Sequence, residues 1–338
     1  MFCSCGTCSA LRLTSLHPKS KGYSAMSNTL PSLWKQLAPG QKISVTPTRD
    51  GVPLSATFLR GTRPGKRVLL TAGIHGCEYC SIQAAIELAA QWRPEEVCGS
   101  LAIVPIANPS GFAERLPAVV AEDGKNLNRV FPGKADGSSA ERLAHILTEL
   151  QDMADFYIDM HGGDLHESMH PFVYIPGVAA EAVTEAARAA ARTLDVEERV
   201  LSSATTGAYN AAALRGVPSL LIERGGNGRW SREEVEAYKC DIRSLLRHLG
   251  LLEAGDATPP ADRQREICDP IYLEAEQHGC WYPTVTAGAY VQAGDLLGEL
   301  RDAFGSPLRP YHAERNGRVL YFTVSLAVKA GTPLVAYG

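Results

Sequence analysis

Four stretches of the chain are apolar almost throughout: Arg67-Val-Leu-Leu-Thr71, Leu101-Ala-Ile-Val-Pro105, Ala154-Asp-Phe-Tyr-Ile-Asp159-Met-His161 and Val217-Pro-Ser-Leu-Leu-Ile-Glu223. Short leucine-rich or β-branched runs bounded by turn residues predict buried strands. Between them the apolar period lengthens. Ile82, Ala85, Ile86 and Ala89 recur at helical spacing within Tyr79 to Trp92, and Pro94 closes that helix. A capping box at Ser138-x-x-Glu141 predicts a helix to about Met153, and Ala179 to Leu194 is alanine-rich and amphipathic. Ser231 with Glu234 opens a further helix to about His248, stopped by Gly250. Strands alternating with helices predict an α/β fold, a mostly parallel central sheet with helices on both faces.

The ends of the chain follow other patterns. Lys42-Ile-Ser-Val45 and Leu54-Ser-Ala-Thr-Phe58 are strand-like pieces around a turn at Arg49-Asp-Gly51. Ala254 to Arg265 is polar with Pro259-Pro260 and reads as a linker. From Ile267 no helical period remains, only short strand-like pieces with turns at positions such as Gly288, Gly294-Asp295 and Asn316-Gly317. The expected division is a hydrolase-sized unit over 26–255 and a small all-β unit over 266–338. Residues 1–25 have neither an apolar signal core nor an acidic residue. They read as a disordered or non-native extension, with Met26 the expected start.

Composition narrows the class. The 338 residues are 45% hydrophobic and 21% charged with a net charge of -4, ordinary for a globular protein. Without a Lys/Arg-rich run, nucleic-acid and acidic-membrane partners are not expected. Nine cysteines, an odd number scattered from Cys3 to Cys280, fit free thiols in a cytoplasmic setting better than a disulfide framework. Cys3, Cys5 and Cys8 lack a second ligand pair at zinc-site spacing.

The chemistry gathers at strand ends. His75 and Glu78 sit on a Gly-flanked turn after the first buried strand, His161 ends the third and Glu223 the fourth. Strand ends on one edge of a parallel sheet are neighbours, the place where open α/β sheets collect ligands. Two His and one Glu, with a position left for water, is a recurring catalytic zinc set. Taken singly, His161 reads first as a core histidine and Glu223 as a cap or a partner of Arg224; it is their convergence with His75 and Glu78 on one sheet edge that favours a ligand site. Asp159 shares a strand face with His161, so it either orients that imidazole or caps the strand end. A loop of about twenty residues ends in Asn126-Leu-Asn128-Arg129-Val-Phe131-Pro-Gly133, and polar loops that long inside an α/β unit are usually functional or disordered.

Gly-Ile-His75-Gly-Cys-Glu78, Asn108-Pro-Ser-Gly111, Asn126-Leu-Asn128-Arg129 with Phe131-Pro-Gly133, Asp159-Met-His161-Gly and Ile-Glu223-Arg-Gly-Gly occur in an order that resembles the zinc carboxypeptidase-like superfamily. Within it the resemblance is to the succinylglutamate desuccinylase/aspartoacylase family, over about residues 60 to 250. The C-terminal unit, with Ala287-Gly288-Ala-Tyr-Val-Gln-Ala-Gly294-Asp295, looks like a lipoyl-type barrel-sandwich hybrid. The resemblance implies one Zn2+ per chain held by His75, Glu78 and His161, with Glu223 as the general base and acid. It implies Asn128 and Arg129 as the pair that holds the substrate carboxylate, and Arg115 as the arginine serving the oxyanion. In one departure, the familiar Asp-Leu-Asn-Arg motif begins here with Asn126, which lowers the charge beside the site by one.

The implied activity is a zinc-dependent amidohydrolase that removes an acyl group from a small N-acyl amino acid. A metallocarboxypeptidase acting on peptides is the alternative, and a non-catalytic binding module on the same fold is a third reading. A planar guanidinium at Arg129 suits a carboxylate with two hydrogen bonds, although a structural ion pair would use it equally well. His166 and His170 are expected to line the pocket rather than hold a second metal. Cys77 and Cys80, flanking Glu78, read as packing residues. The oligomeric state stays open, a homo-oligomer being compatible with everything above.

Overall fold

The computed structural model describes residues 29–49, 51–253 and 264–338. The N-terminal extension, Met26, the Cys3/Cys5/Cys8 cluster and all but the last two residues of the Ala254–Arg265 linker lie outside them.

In chain order the first half comprises α1 (Leu30–Gln36), β1 (Gln41–Val45), the short pair β2 (Thr48–Arg49) and β3 (Val52–Pro53), β4 (Ala56–Arg60), β5 (Arg63–Ala72), α2 (Tyr79–Gln91), β6 (Cys98–Val104), α3 (Pro109–Glu114) and α4 (Ser139–Gln151). Then follow β7 (Phe156–His161), β8 (Glu167–Met169), β9 (Phe172–Pro176), α5 (Glu181–Ala191), β10 (Glu198–Ser202), α6 (Ala208–Leu214), β11 (Ser219–Glu223), α7 (Arg232–His248) and β12 (Arg265–Ile267). The C-terminal part is all strand: β13 (Ile271–Glu274), β14 (Gly279–Pro283), β15 (Tyr290–Val291), β16 (Leu296–Arg301), β17 (Pro307–His312), β18 (Gly317–Thr323), β19 (Ala327–Val328) and β20 (Pro333–Tyr337).

The central sheet has the order β1-β4-β6-β5-β7-β11-β9-β10-β12. Its middle, β6-β5-β7-β11, is parallel; β1, β4 and the β11/β9 junction contribute the antiparallel pairings. Successive side chains of the middle strands alternate faces. Val68, Leu70, Ile158, Met160, Leu220 and Ile222 meet α2, α5 and α7 on one side. Leu69, Tyr157 and Leu221 meet α1, α4 and α6 on the other. Two covered faces are why these strands read as unbroken apolar runs in the sequence.

The C-terminal strands form two small sheets, β13-β20-β18-β15 and β17-β16-β14-β19, around Trp281, Leu300, Val319 and Leu334. Two exchanges join them to the rest. β12 extends the central sheet by pairing with β10, and β8, from the segment after His161, pairs with β18. Phe172, Val200, Ile267, Leu320 and Ala336 fill the junction between.

Several expectations change. Asn108 to Gly111 is the start of a helix rather than a bare turn: the Asn108 side chain accepts from the Gly111 N–H at 2.9 Å, with Pro109 in the first turn. The long polar loop is built, with Val119 bridging Asn126 and a 3-10 turn at Leu127–Arg129. Thr205 to Arg215, a stretch with no readable helical period, contains α6.

Candidate metal centre and active site

His75 and Glu78 lie in the turn from β5 to α2, and Glu78 is the cap residue of that helix. The turn needs Gly76: a Cβ there would stand 2.3 Å from the Gly111 carbonyl carbon at the start of α3. His161 closes β7 and Glu223 closes β11, and the two are direct partners in the parallel ladder. Gly162 repeats the logic of Gly76, because a Cβ there would meet the Arg224 carbonyl oxygen at 2.1 Å. Behind both strand ends the buried Tyr238 hydroxyl reaches the Ile222 carbonyl at 2.9 Å and also contacts the His161 carbonyl.

Three loops thus bring His75, Glu78 and His161 together, with one ligating atom from each lying within 4.8 Å of the others. His75 Nδ1 is 2.6 Å from Glu78 Oε1, and His161 Nδ1 is 3.0 Å from Glu78 Oε2. Yet Glu78 Oε2 is buried without a hydrogen-bond partner. Two acceptor atoms facing one another in this way fit a shared cation better than a donor–acceptor pair. The opposite ring nitrogens are held from behind. His75 Nε2 is 3.2 Å from Asn126 Oδ1, and His161 Nε2 is 3.3 Å from Asp159 Oδ2, the latter too poorly aligned to count as a hydrogen bond. Asp159 is itself fixed by the Thr71 hydroxyl at 2.9 Å. A donor set of two imidazoles and one carboxylate, with Asn126 bonded behind one ring and Asp159 standing behind the other, suits zinc.

The cluster is acid-rich and dry. Burial pushes the Glu78 carboxyl up, but the two imidazoles, His161 foremost, more than offset this and hold it below its ordinary value. His161 is driven well above the usual histidine range: burial opposes its charge, and Glu78 and Asp159 overcome that. Burial also raises the Glu223 carboxyl well above the usual range; His161 opposes the rise, and Glu78 and Glu167 add to it. A divalent cation neutralises such a cluster as protons otherwise must.

These groups open into a cavity of about 660 Å³ that also takes in Asn128, Arg129 and Glu223. Asn128 is buried, and its Oδ1 accepts from the Ala208 N–H at 2.8 Å, so the amide oxygen is committed to the start of α6. Arg129 donates to the Asn128 carbonyl at 3.2 Å and forms no ion pair among the described residues, leaving its charge to the cavity. Glu223 Oε2 is buried with no hydrogen-bond partner. Arg115 is not in the lining; it is exposed in a left-handed conformation at the end of α3 (φ 57°), beside Cys77 and Tyr79.

His166 and His170 do not line the cavity either. His170 Nε2 is 2.9 Å from Glu198 and 3.2 Å from Arg318. Arg318 also reaches Glu197 at 2.7 Å and Glu198 at 2.9 Å, so its guanidinium occupies this second His/Glu cluster as a structural tie. Cys77 and Cys80 are buried, Cys80 against Gly225. The sequence reading missed Asn210 and the pocket tyrosines, Tyr174, Tyr209, Tyr272 and Tyr321.

Residues 64–249 match the family model for the succinylglutamate desuccinylase/aspartoacylase catalytic domain. The N-alpha-acetyl-L-2,4-diaminobutyric acid deacetylase of Halomonas elongata is 32% identical over 269 residues, covering 75% of this chain and 76% of that protein. The product-bound structure of the ectoine utilization protein EutE (DoeB) from Ruegeria pomeroyi is similar with a TM-score of 0.78 at 29% identity, covering 88% of this chain and 93% of that one. A succinylglutamate desuccinylase/aspartoacylase from Rhodobacter sphaeroides gives a TM-score of 0.77 at 27% identity, with 88% and 94% covered. With its motifs in that order, its strand ends meeting at one cavity and its catalytic region matched along its length, the chain belongs to the succinylglutamate desuccinylase/aspartoacylase family.

Proposed function

We propose that the protein is a zinc-dependent amidohydrolase that removes the acyl group from a small N-acyl amino acid. The observation that carries the reading is the meeting of His75, Glu78 and His161 in one cavity with the partnerless Glu223 carboxylate. These first three residues would hold the ion, which when bound lowers the pKa of water toward ~7 and polarises the acyl carbonyl. Glu223 takes a proton from the attacking water and returns it to the departing amine nitrogen as the C–N bond breaks and the C–O bond forms. Its high proton affinity suits both halves of that task. The Asn128 amide and the Arg129 guanidinium orient the substrate carboxylate. The oxyanion role of Arg115 rests on the sequence resemblance, and an Arg115→Lys variant that keeps full kcat would remove it.

The C-terminal strands wall the cavity with Tyr272, Leu273 and Tyr321, which favours small substrates over an extended peptide. The test is a panel of N-acetyl and N-succinyl amino acids, with dipeptides as the peptidase control, assayed with and without chelator. Because the Halomonas relative is named for Nα-acetyl-2,4-diaminobutyrate, that compound belongs in the panel. Metal analysis is expected to find one zinc per chain in the wild type and in Glu223→Gln. That variant is expected to lose on the order of 10²–10⁴-fold in kcat. Full hydrolysis by zinc-loaded Glu223→Gln would contradict the reading.

A further inference from the structure

The proposed reaction assigns a partner to most charges in the cavity. The ion would offset Glu78, Glu223 would carry the travelling proton, and Arg129 would meet the substrate carboxylate. Asp164 and Glu167 are left over. Both line the same cavity, three residues apart on the segment that follows His161, and neither pairs with an arginine, lysine or histidine among the described residues. Arg129 is the one arginine or lysine in the lining, and the imidazoles of His75 and His161 face Glu78. Asp164 Oδ1 accepts from the His166 N–H at 2.6 Å, and Glu167 Oε2 has only a long approach from the Asp164 N–H at 3.5 Å.

Both acids stand close to the reacting centre: the charge of Glu167 acts on Glu223 and Tyr321, and that of Asp164 on Cys77, beside Glu78. Burial, with Asp164 and Glu78 adding to it, pushes the Glu167 carboxyl up to about 8. Both carboxylates are half-buried in the cavity wall, and acids held there without a counter-charge attract a cation. The backbone does not let them turn away. Glu167 pairs with Thr323 in the β8/β18 ladder, and its carbonyl accepts from the Asn227 N–H at 2.8 Å.

A second sign is independent of the acids. Asn210, only 1% exposed, lines the same cavity with a buried Oδ1 that accepts no hydrogen bond. This too is an acceptor without a donor. The same cavity is also lined by Tyr174 and Tyr272, their hydroxyls 3.1 Å apart, and by Tyr321, which supply further oxygens and ring faces that favour a cation.

We propose that Asp164 and Glu167 form a subsite for an ammonium group of the substrate, so that the enzyme selects N-acyl amino acids carrying a second, free amine. The inference rests on the deacylase reading and adds to it the residues that choose among acyl amino acids.

The test compares kcat/KM of the zinc-loaded enzyme for Nα-acetyl-2,4-diaminobutyrate and for N-acetylnorvaline, its isostere with a methyl in place of the ammonium. Wild type is expected to prefer the amine by about 30-fold or more, the scale of a buried charge pair. In Glu167→Gln and Asp164→Asn that ratio is expected to fall by about tenfold or more, the loss lying on the amine substrate. A wild type without preference would overturn the proposal, and so would variants that lose both substrates in parallel, the mark of a merely structural role. If no N-acyl amino acid is cleaved, the deacylase reading fails and the subsite is judged by calorimetry. Free 2,4-diaminobutyrate should then bind wild type more tightly than norvaline and lose that advantage in Glu167→Gln. Equal binding would overturn the subsite.

Discussion

At the scale of residues, the candidate metal centre is built in two layers, and only the inner one is legible in a sequence. His75, Glu78, His161 and Glu223 stand at strand ends flanked by glycines, so their types and places announce them. The outer partners are hidden by distance along the chain: Asn126 meets His75 across 51 positions, and Thr71 meets Asp159 across 88. Asn126 matters because an amide oxygen stands where the family's more familiar motif has a carboxylate. A carboxylate behind a ligating imidazole raises its basicity and tightens the metal. Asn126→Asp is therefore expected to hold zinc up to about tenfold more tightly, read by competition with a chelator of known affinity. Unchanged or weaker retention would mean that the 3.2 Å contact does not tune His75. The acids Asp164 and Glu167 were equally readable as letters in Gly162-Gly-Asp164-Leu-His-Glu167, but their lack of a counter-charge becomes visible only once the cavity wall is known.

At the scale of elements, sequence pattern served best where packing is simplest. β5, β7 and β11 are covered on both faces and were readable as apolar runs to within a few residues at their ends. β9 and β10 were not. Phe172-Val-Tyr-Ile-Pro176 ends in proline, and Glu198-Arg-Val-Leu-Ser202 opens with two charges buried against Arg318 and Glu266, which disguises a strand as a loop. α6 has seven residues and Gly207 at its cap, too short for a period and without a capping side chain of its own.

The best-defined link between helices is charged. Glu87 on α2 takes Lys239 and Arg232 of α7 at 2.8 and 2.6 Å. Hydrogen bonds from Lys239 and Gln83, then Arg232, lower the Glu87 carboxyl to about 2 from its ordinary 4.5, against a small opposing effect of burial. A depressed carboxyl stabilises the fold above pH 4.5, and that contribution disappears as the pH falls from 4.5 through 2. Glu87→Gln is expected to melt about 2–4 °C below wild type near pH 7. The gap should narrow toward pH 2; a gap independent of pH would assign the loss to packing instead.

At the scale of the molecule, no helix among the described residues is long and apolar enough to cross a membrane. The catalytic unit and the C-terminal strands are stitched together by β12, by β8 and by the Arg318 cluster. Units tied by shared sheets and a common apolar cluster should melt together. Calorimetry is expected to give one transition, with the calorimetric and van't Hoff enthalpies equal. Leu320→Ala, in the fully buried junction cluster, should lower that single transition by an amount equivalent to about 2–5 kcal/mol. Two resolved transitions, with only the second moved by Leu320→Ala, would show that the units unfold separately.

The loan of β8 has a practical corollary for anyone who would treat the C-terminal unit as an interchangeable cassette. The strand it borrows carries Glu167 and begins six residues beyond His161, so a chimera cut between α7 and β12 would inherit a foreign partner for a host strand. Register errors there would be transmitted straight to the catalytic rim. With Asp164 and Glu167 as the proposed subsite, a transplant that keeps its selectivity would have to carry residues 162–176 along with the graft, placing substrate choice at the seam rather than in either piece.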